Sequence, residues 1–251
     1  MTRVTTVSGA ILEPLLRADP VGPRITYYDD ATGERIELSA ATLANWAAKS
    51  GNLLRDELGA GPGSRVAVLL PAHWQTAAVL FGVWWIGAQA LPVPPAPAGD
   101  AGDTTGADVA LCTLERLDAA DAAVAGGEVA VLSLDPFGRP VTDLPIGVTD
   151  YATAVRVHGD QITAEPHPGP ALPGMTVQAL LDACAESAAA HAVTATDRVL
   201  STASWDTPGD LVDHLLTVLS VGGSLVQVAH PDPATMTRRA ESEKTTRGNI
   251  C

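Results

Sequence analysis

The sequence predicts an α/β fold, and three observations carry that expectation. Short apolar runs at residues 65–70, 89–93, 109–113, 129–134, 198–203 and 224–229 alternate with stretches of helical periodicity. Those runs are apolar on both faces, as strands of a mostly parallel sheet covered by helices are. Of the 251 residues, 46% are hydrophobic and 18% charged, enough to build a core around such a sheet. The expected architecture is a three-layer α/β/α sandwich around a mainly parallel sheet, with an N-terminal helix and a β-hairpin.

The elements follow in order. Residues 8–18 place Ile11, Leu12, Leu15 and Leu16 on one side of a helix, with Ser8 as its cap and Pro20 as its stop. Residues 25–28 and 35–38 are β-prone runs around an Asp/Gly turn, a hairpin pattern. Ser39 caps a long helix carrying Leu43, Trp46, Ala47, Leu53, Leu54 and Leu58, which stops at the glycine-rich run 59–63. A strand at 65–70 leads past Pro71 into a crossover helix at 73–86 and a second strand at 89–93. A third strand at 109–113, a helix at 114–125 and a fourth strand at 129–134 continue the alternation. Residues 135–175 form a Pro- and Gly-rich connection around one short ordered piece near 151–157. A helix at 176–191, a strand at 198–203, a helix at 210–221 and a strand at 224–229 follow. The polar tail reads as a frayed helix. The chain is therefore expected as one domain: a first α/β half at 1–134, the connection at 135–175, a second α/β portion at 176–230 and the tail at 231–251.

Lys and Arg total 15 against 29 Asp and Glu, a net charge of −14. A nucleic-acid partner is excluded on that ground, because phosphate-backbone affinity depends on clustered cations. Lys49 and Lys244 are the only lysines. Cys112, Cys184 and Cys251 stand far apart, so neither a disulfide framework nor a zinc site is expected, and a reducing, cytoplasmic setting fits. No secretory signal opens the chain, and the apolar run 77–88 is too short to span a bilayer.

The run Gly61-Pro62-Gly63-Ser64-Arg65-Val66-Ala67-Val68-Leu69-Leu70-Pro71, after the hairpin and the helix 39–58, resembles the start of an adenylate-forming enzyme. That family includes acyl-CoA synthetases, luciferases and peptide-synthetase adenylation domains. Phe81-Gly82-Val83-Trp84-Trp85-Ile86-Gly87-Ala88 and Leu91-Pro92-Val93 continue the likeness. Asp197-Arg198-Val199-Leu200-Ser201 and Val221-Gly222-Gly223-Ser224-Leu225-Val226 resemble the segments beyond the family's nucleotide loop. The resemblance covers most of residues 24–229 and implies the N-terminal portion of that fold. The Arg-over-Lys, Ala-rich composition is compatible with short actinobacterial proteins of this kind.

The matching motifs belong to the scaffold. The family's reaction, attack of a carboxylate on the α-phosphate of ATP, needs a Ser/Thr/Gly-rich loop ending in lysine to hold the phosphates. Residues 158–170 stand where that loop should fall, with no lysine, few hydroxyls, Asp160 and Glu165, and prolines that remove amide donors. Asp103-Thr104-Thr105-Gly106 echoes the loop but precedes the third predicted strand, and reads as a solvated surface turn. The glycine run at 59–63 follows a helix and precedes a strand, the reverse of a dinucleotide loop. The family's adenine and ribose contacts, magnesium-binding acid, hinge and small lysine-bearing domain are expected beyond this chain's end. Lys244 sits in an unmatched context. No catalytic residue, cofactor or metal is therefore assigned.

Other constellations are weaker. Asp210 and His214 share an i, i+4 spacing that suits a surface ion pair better than a metal pair. Ser64, Ser204 and Ser224 lie outside any nucleophile elbow. Cys112 and Cys184 fall in elements expected to be buried and read as packing thiols. Trp74, Trp84 and Trp85 share one helix, and adjacent Trp84 and Trp85 are expected to point apart, one of them to a rim or pocket. Trp205 and Asp206 follow a strand where α/β sheets present ligands, and the resemblance puts them near the acyl pocket. They are the candidate ligand-binding residues. A scaffold ending here is expected to leave an apolar face or sheet edge uncovered, hence a homo-oligomer or a protein partner. The sequence thus points to a non-catalytic interaction or ligand-binding relative of the adenylate-forming enzymes. The alternative is a minimal acyl-adenylate-forming enzyme completed by a partner in trans.

Overall fold

In the computed structural model, which describes residues 5–95 and 106–249, the first helix, α1 (Val7–Ala18), is capped by Thr6. The Thr6 hydroxyl accepts the Gly9 amide at 3.0 Å. Ser8, the expected cap, instead lies inside the helix and donates to the Phe81 carbonyl. The hairpin forms as β1 (Pro23–Asp29) and β2 (Glu34–Ser39), and Ser39 caps α2 (Ala40–Asp56) as expected. Then come β3 (Arg65–Leu69), α3 (Trp74–Trp85), β4 (Gln89–Pro92), β5 (Val109–Cys112), α4 (Leu117–Val124) and β6 (Glu128–Val131). A short strand β7 (Val148–Asp150) and the one-turn α5 (Tyr151–Ala154) follow. Next are α6 (Val177–Ala190), β8 (Arg198–Ser201), a helix running from α7 (Pro208–Leu211) through a π-helical turn at Val212–Leu216 into α8 (Thr217–Ser220), and β9 (Ser224–Ala229). The last helix is α9 (Pro233–Ser242).

The strands form two sheets rather than the single one expected. One has the order β2-β1-β9-β8 and is parallel apart from the hairpin; the other, β4-β3-β5-β6-β7, is parallel throughout. The local pattern gives strand type but not which strands share a sheet, and here β1 pairs with β9, which arrives two hundred residues later. Each sheet is covered on both faces. Helices α1, α2, α3, α6 and α8 pack in the large core between the sheets; α4 covers the outer face of the five-stranded sheet and α9 that of the four-stranded sheet.

Every residue of α3 is buried. On one side α2 crosses it at paired glycines: a Cβ on Gly82 would lie 2.8 Å from the Gly51 nitrogen and 2.9 Å from the Ala47 carbonyl oxygen. Residues 158–175 close another side. Trp84 donates from its indole to Ala171 O at 2.8 Å, and the Glu165 amide donates to Trp85 O at 3.0 Å. Neither Trp84 nor Trp85 reaches a rim, because this strap covers what the α2 contact leaves open.

The tail is not frayed. Asp232 caps α9, and Met236 and Ala240 pack with Tyr28 against Leu200, Val226 and Val228. Residues 245–249 then run beside β8: the Leu200 amide donates to Arg247 O and the Thr246 amide to Arg198 O, both at 2.9 Å. The outer edge of β8 is thereby paired. The large hydrophobic side chains exposed among the described residues, Val21, Leu114, Phe137, Ile146 and Val157, are spread along the chain.

Glu243 anchors this closure. Tyr28, Arg35 and Arg198 all donate to its carboxylate. Burial alone would raise that carboxyl, but the three hydrogen bonds outweigh it and hold it at about 2, against an ordinary 4.5. Because the folded-state value lies below the ordinary one, the stabilisation is complete above pH 4.5 and is lost as pH falls toward 2. Glu243→Gln should therefore lower stability at neutral pH by about 2 kcal/mol, and the gap from the parent should close with acidification. Urea unfolding across that pH range measures both; a gap that is independent of pH would contradict the assignment.

Candidate functional site

Parallel strands deliver their carboxyl ends to one side of a sheet, and ligand sites of α/β folds lie there. Both sheets of this chain present those ends to one continuous cleft. Its first lobe, about 820 Å³, lies beyond β1 and β9 and is walled by Tyr27, Glu34, His73, Asp135, Gln227 and His230, among others. The second lobe, also about 820 Å³, lies beyond β3, β5 and β6. Pro71, Ala72, Ser133, Leu134, Ser204 and His230 line both. From β3 the chain crosses to β4 on one side, whereas β5 pairs on the other, so the second lobe occupies a topological switch point.

His73 sets the chemistry of the first lobe. It caps α3, its Nδ1 accepting the Gln75 amide at 3.1 Å, so the ring proton is on Nε2. Burial draws its pKa below the ordinary value, with Glu34 opposing. That Nε2 stands 3.8 Å from Glu34 Oε1, too far for a hydrogen bond, and has no partner. Tyr27 packs its ring edge-on against His73 at 4.3 Å between centroids. Burial, then the charges of Asp29 and Glu34, push the Tyr27 phenol up, so it stays protonated. The Trp74 indole N–H donates to Glu34 at 3.4 Å.

At the mouth, Asp29 Oδ1 lies 2.9 Å from His230 Nδ1, and His230 holds a left-handed backbone with φ +47. Burial alone would raise the Asp29 carboxyl, but hydrogen bonds from His230 and the Ala31 amide outweigh it and leave it lowered.

The lining is acidic. The first lobe sets Asp29, Glu34 and Asp135 against Arg35, whose guanidinium is already engaged by Tyr28, Glu37 and Glu243. The second sets Glu115 and Asp206 against Arg116, which donates to the Val93 and Pro94 carbonyls at 2.7 and 2.9 Å. Burial lowers the Arg116 pKa, and the Asp206 charge opposes that. No lysine lines either lobe.

The candidate pair from the sequence is split. Asp206 lines the second lobe, whereas Trp205 packs in the main core, 3% exposed, its indole N–H without a partner. Segment 158–175, where a phosphate loop was sought, lies at the opposite end of the strands. Lys49 donates to His158 O, and Asn52 to the Gly159 and Gln161 carbonyls. The Gly169 amide donates to Gly87 O, and the Ala90 amide to Ala171 O. These groups bind the helix layer and β4. The echo at Asp103–Thr105 lies outside the described residues.

Asp210 is not an ion-pair partner of His214. It closes a capping box with Thr207, while the π-helical turn breaks the i, i+4 register. No cluster of three His, Cys, Asp or Glu suited to a metal occurs among the described residues, and no helix among them is long and apolar enough to cross a membrane. Cys112 and Cys184 are buried with thiols pushed up to about 12, foremost by burial, consistent with packing roles. The sequence reading missed His73, Tyr27, Glu34 and Gln227. The available signal was Gln227, a polar residue on the inward register of an otherwise apolar strand, and His73 in the short loop between β3 and α3.

Three comparisons bear on the chain. A family model described as "AMP-binding enzyme" matches residues 18–121. A Mycobacterium tuberculosis (strain ATCC 25618 / H37Rv) protein described as "TIGR03089 family protein" is 70% identical over 251 residues, covering 98% of this chain and 99% of the relative. The Brucella canis acyl-CoA synthetase crystal structure superposes with a TM-score of 0.80 at 18% identity, over 97% of this chain and 46% of that one. Anthranilate CoA ligase AuaEII, in complex with anthranoyl-AMP, superposes with a TM-score of 0.75 at 16% identity, over 99% and 50%. The chain thus spans about half the length of these two ligases and shares the fold of that portion.

Trp205→Ala should cost about 3–5 kcal/mol through the cavity it leaves. Trp205→Phe should cost clearly less, since it leaves a smaller cavity and the lost indole N–H has no partner. Urea unfolding separates the two; equal losses would show that the N–H is in use.

Proposed function

The chain belongs to the TIGR03089 family, and from that premise we propose that it is a non-catalytic relative of the adenylate-forming enzymes whose inter-sheet cleft binds a small molecule. The observation that carries this reading is the lining of the cleft. It gathers carboxylates, lacks lysine, and keeps its guanidinium groups on protein partners. A triphosphate entering it would meet like charge, and in 158–175 the Glu165 and Gly169 amides already donate to the Trp85 and Gly87 carbonyls. A cytoplasmic location goes with this reading, as do the Asp206 side of the second lobe as a ligand wall and Trp205 as a core residue behind it.

A second reading has a partner supply the rest of an acyl-adenylate-forming enzyme in trans. The match to about half of each ligase chain favours it. A partner could add a lysine-bearing cap over the cleft mouth, but it would also have to bring phosphate donors into an acidic lining. On the leading reading a protein partner or second copy is an accessory to binding.

ATP–pyrophosphate exchange, run with the purified chain and a panel of aliphatic, aromatic and amino acids, tests the choice. We expect no exchange above the no-enzyme rate with any acid. Acid-dependent exchange by this chain alone would overturn the non-catalytic reading.

A further inference from the structure

The first lobe has a floor of three adjacent polar side chains. Tyr27 and Gln227 are register partners on β1 and β9, so they stand side by side about 4.8 Å apart on the face turned to the helix layer. Tyr27 in turn touches His73 edge-on. Gln227 donates from Nε2 to the Ala203 carbonyl at 3.0 Å, which fixes the orientation of its amide and leaves Oε1 as the end without a partner. His73 accepts at Nδ1 and carries its proton on Nε2, likewise without a hydrogen bond, the nearest carboxylate oxygen being Glu34 Oε1 at 3.8 Å. The two residues are 2% and 1% exposed, and both line the lobe. One buried acceptor and one buried donor thus each neighbour Tyr27.

We propose that this lobe is a binding site for a primary carboxamide, whose carbonyl accepts from His73 Nε2–H and whose NH2 group donates to Gln227 Oε1. The assignment rests on the reading of the cleft as a ligand site and names the chemistry it selects. A carboxylate brings acceptors only, leaves Gln227 Oε1 unmatched, and faces Asp29, Glu34 and Asp135. An amidinium suits those charges but brings donors only, leaving the His73 N–H unmatched. A neutral amide matches both atoms. The neutral state of His73 and the protonated state of Tyr27 keep the floor in the form the amide requires.

Three isosteric probes test this on the full chain: benzamide, benzamidine and benzoate, titrated separately with NMR detection of the His73 ring and the Gln227 side-chain amide. Benzamide should saturate and shift both signals, with the other two binding at least about tenfold more weakly, the factor expected for one unmatched buried group. Two variants remove one partner each. Gln227→Met keeps the volume and loses the acceptor; His73→Asn keeps an oxygen to cap α3 and loses the ring N–H. Each should weaken benzamide about tenfold, and Gln227→Met should also narrow the preference over benzoate, leaving the part due to the lobe's carboxylates. If His73→Asn does not fold, Gln227→Met and the ranking of the three probes decide. Equal binding of the three, no benzamide binding, or folded variants that bind benzamide like the parent would overturn the site. Such a result leaves the non-catalytic reading standing, whereas pyrophosphate exchange overturns that reading whatever the amide result.

Discussion

The burial of α3 is the constraint on which the other features depend. A helix apolar on every side must be enclosed, and several separate parts of the chain enclose this one. Helix α2 reaches it through the Gly51–Gly82 crossing, where any side chain would strike backbone. The strap at 158–175 takes another side, with Trp84 and Trp85 as its anchors. Strands β1 and β4, one from each sheet, meet α3 as well. The two sheets are therefore held through a common helix, and the cleft between their carboxyl ends inherits its shape from that packing. His73, the cap of the same helix, is set into the cleft by the element that holds the sheets together.

This arrangement explains why the strap and the cleft are separate. A phosphate loop must lie at the carboxyl ends of the strands with its amides free. Residues 158–175 lie at the other end, where the Glu165 amide meets the Trp85 carbonyl and the Ala171 carbonyl takes the Trp84 indole N–H, covering the tryptophans of α3. The closure at Glu243 is a second feature of the scaffold: α9 covers a sheet face with Met236 and Ala240, residues 245–249 pair an edge, and Glu243 between them is bound by Tyr28, Arg35 and Arg198.

Most elements were legible in the sequence because their signals are local: the Ser39 cap, the glycine run after α2, and the apolar runs of β3, β5 and β9. What was not legible depends on distant partners. The division into two sheets rests on the pairing of β1 with β9, and the burial of both Trp84 and Trp85 on a segment eighty-odd residues later. The tail looked frayed because its composition is polar, whereas its order comes from Glu243 meeting two arginines and a tyrosine from three strands. Of the candidate site, Asp206 was found through its place after a strand. His73 and Gln227 gain meaning only when the fold sets both beside Tyr27, which a lone histidine and a lone glutamine in sequence do not reveal.

The central claim is that this cleft has kept the adenylate-forming scaffold without its nucleotide chemistry. Titration calorimetry of the purified chain with Mg-ATP and with a non-hydrolysable acyl-adenylate mimic, backed by thermal melting, tests it most directly. The account predicts no heat of binding and no rise in melting temperature at millimolar Mg-ATP. Saturable binding, which at 100 times its dissociation constant would stabilise the fold by about 2.7 kcal/mol, would contradict it.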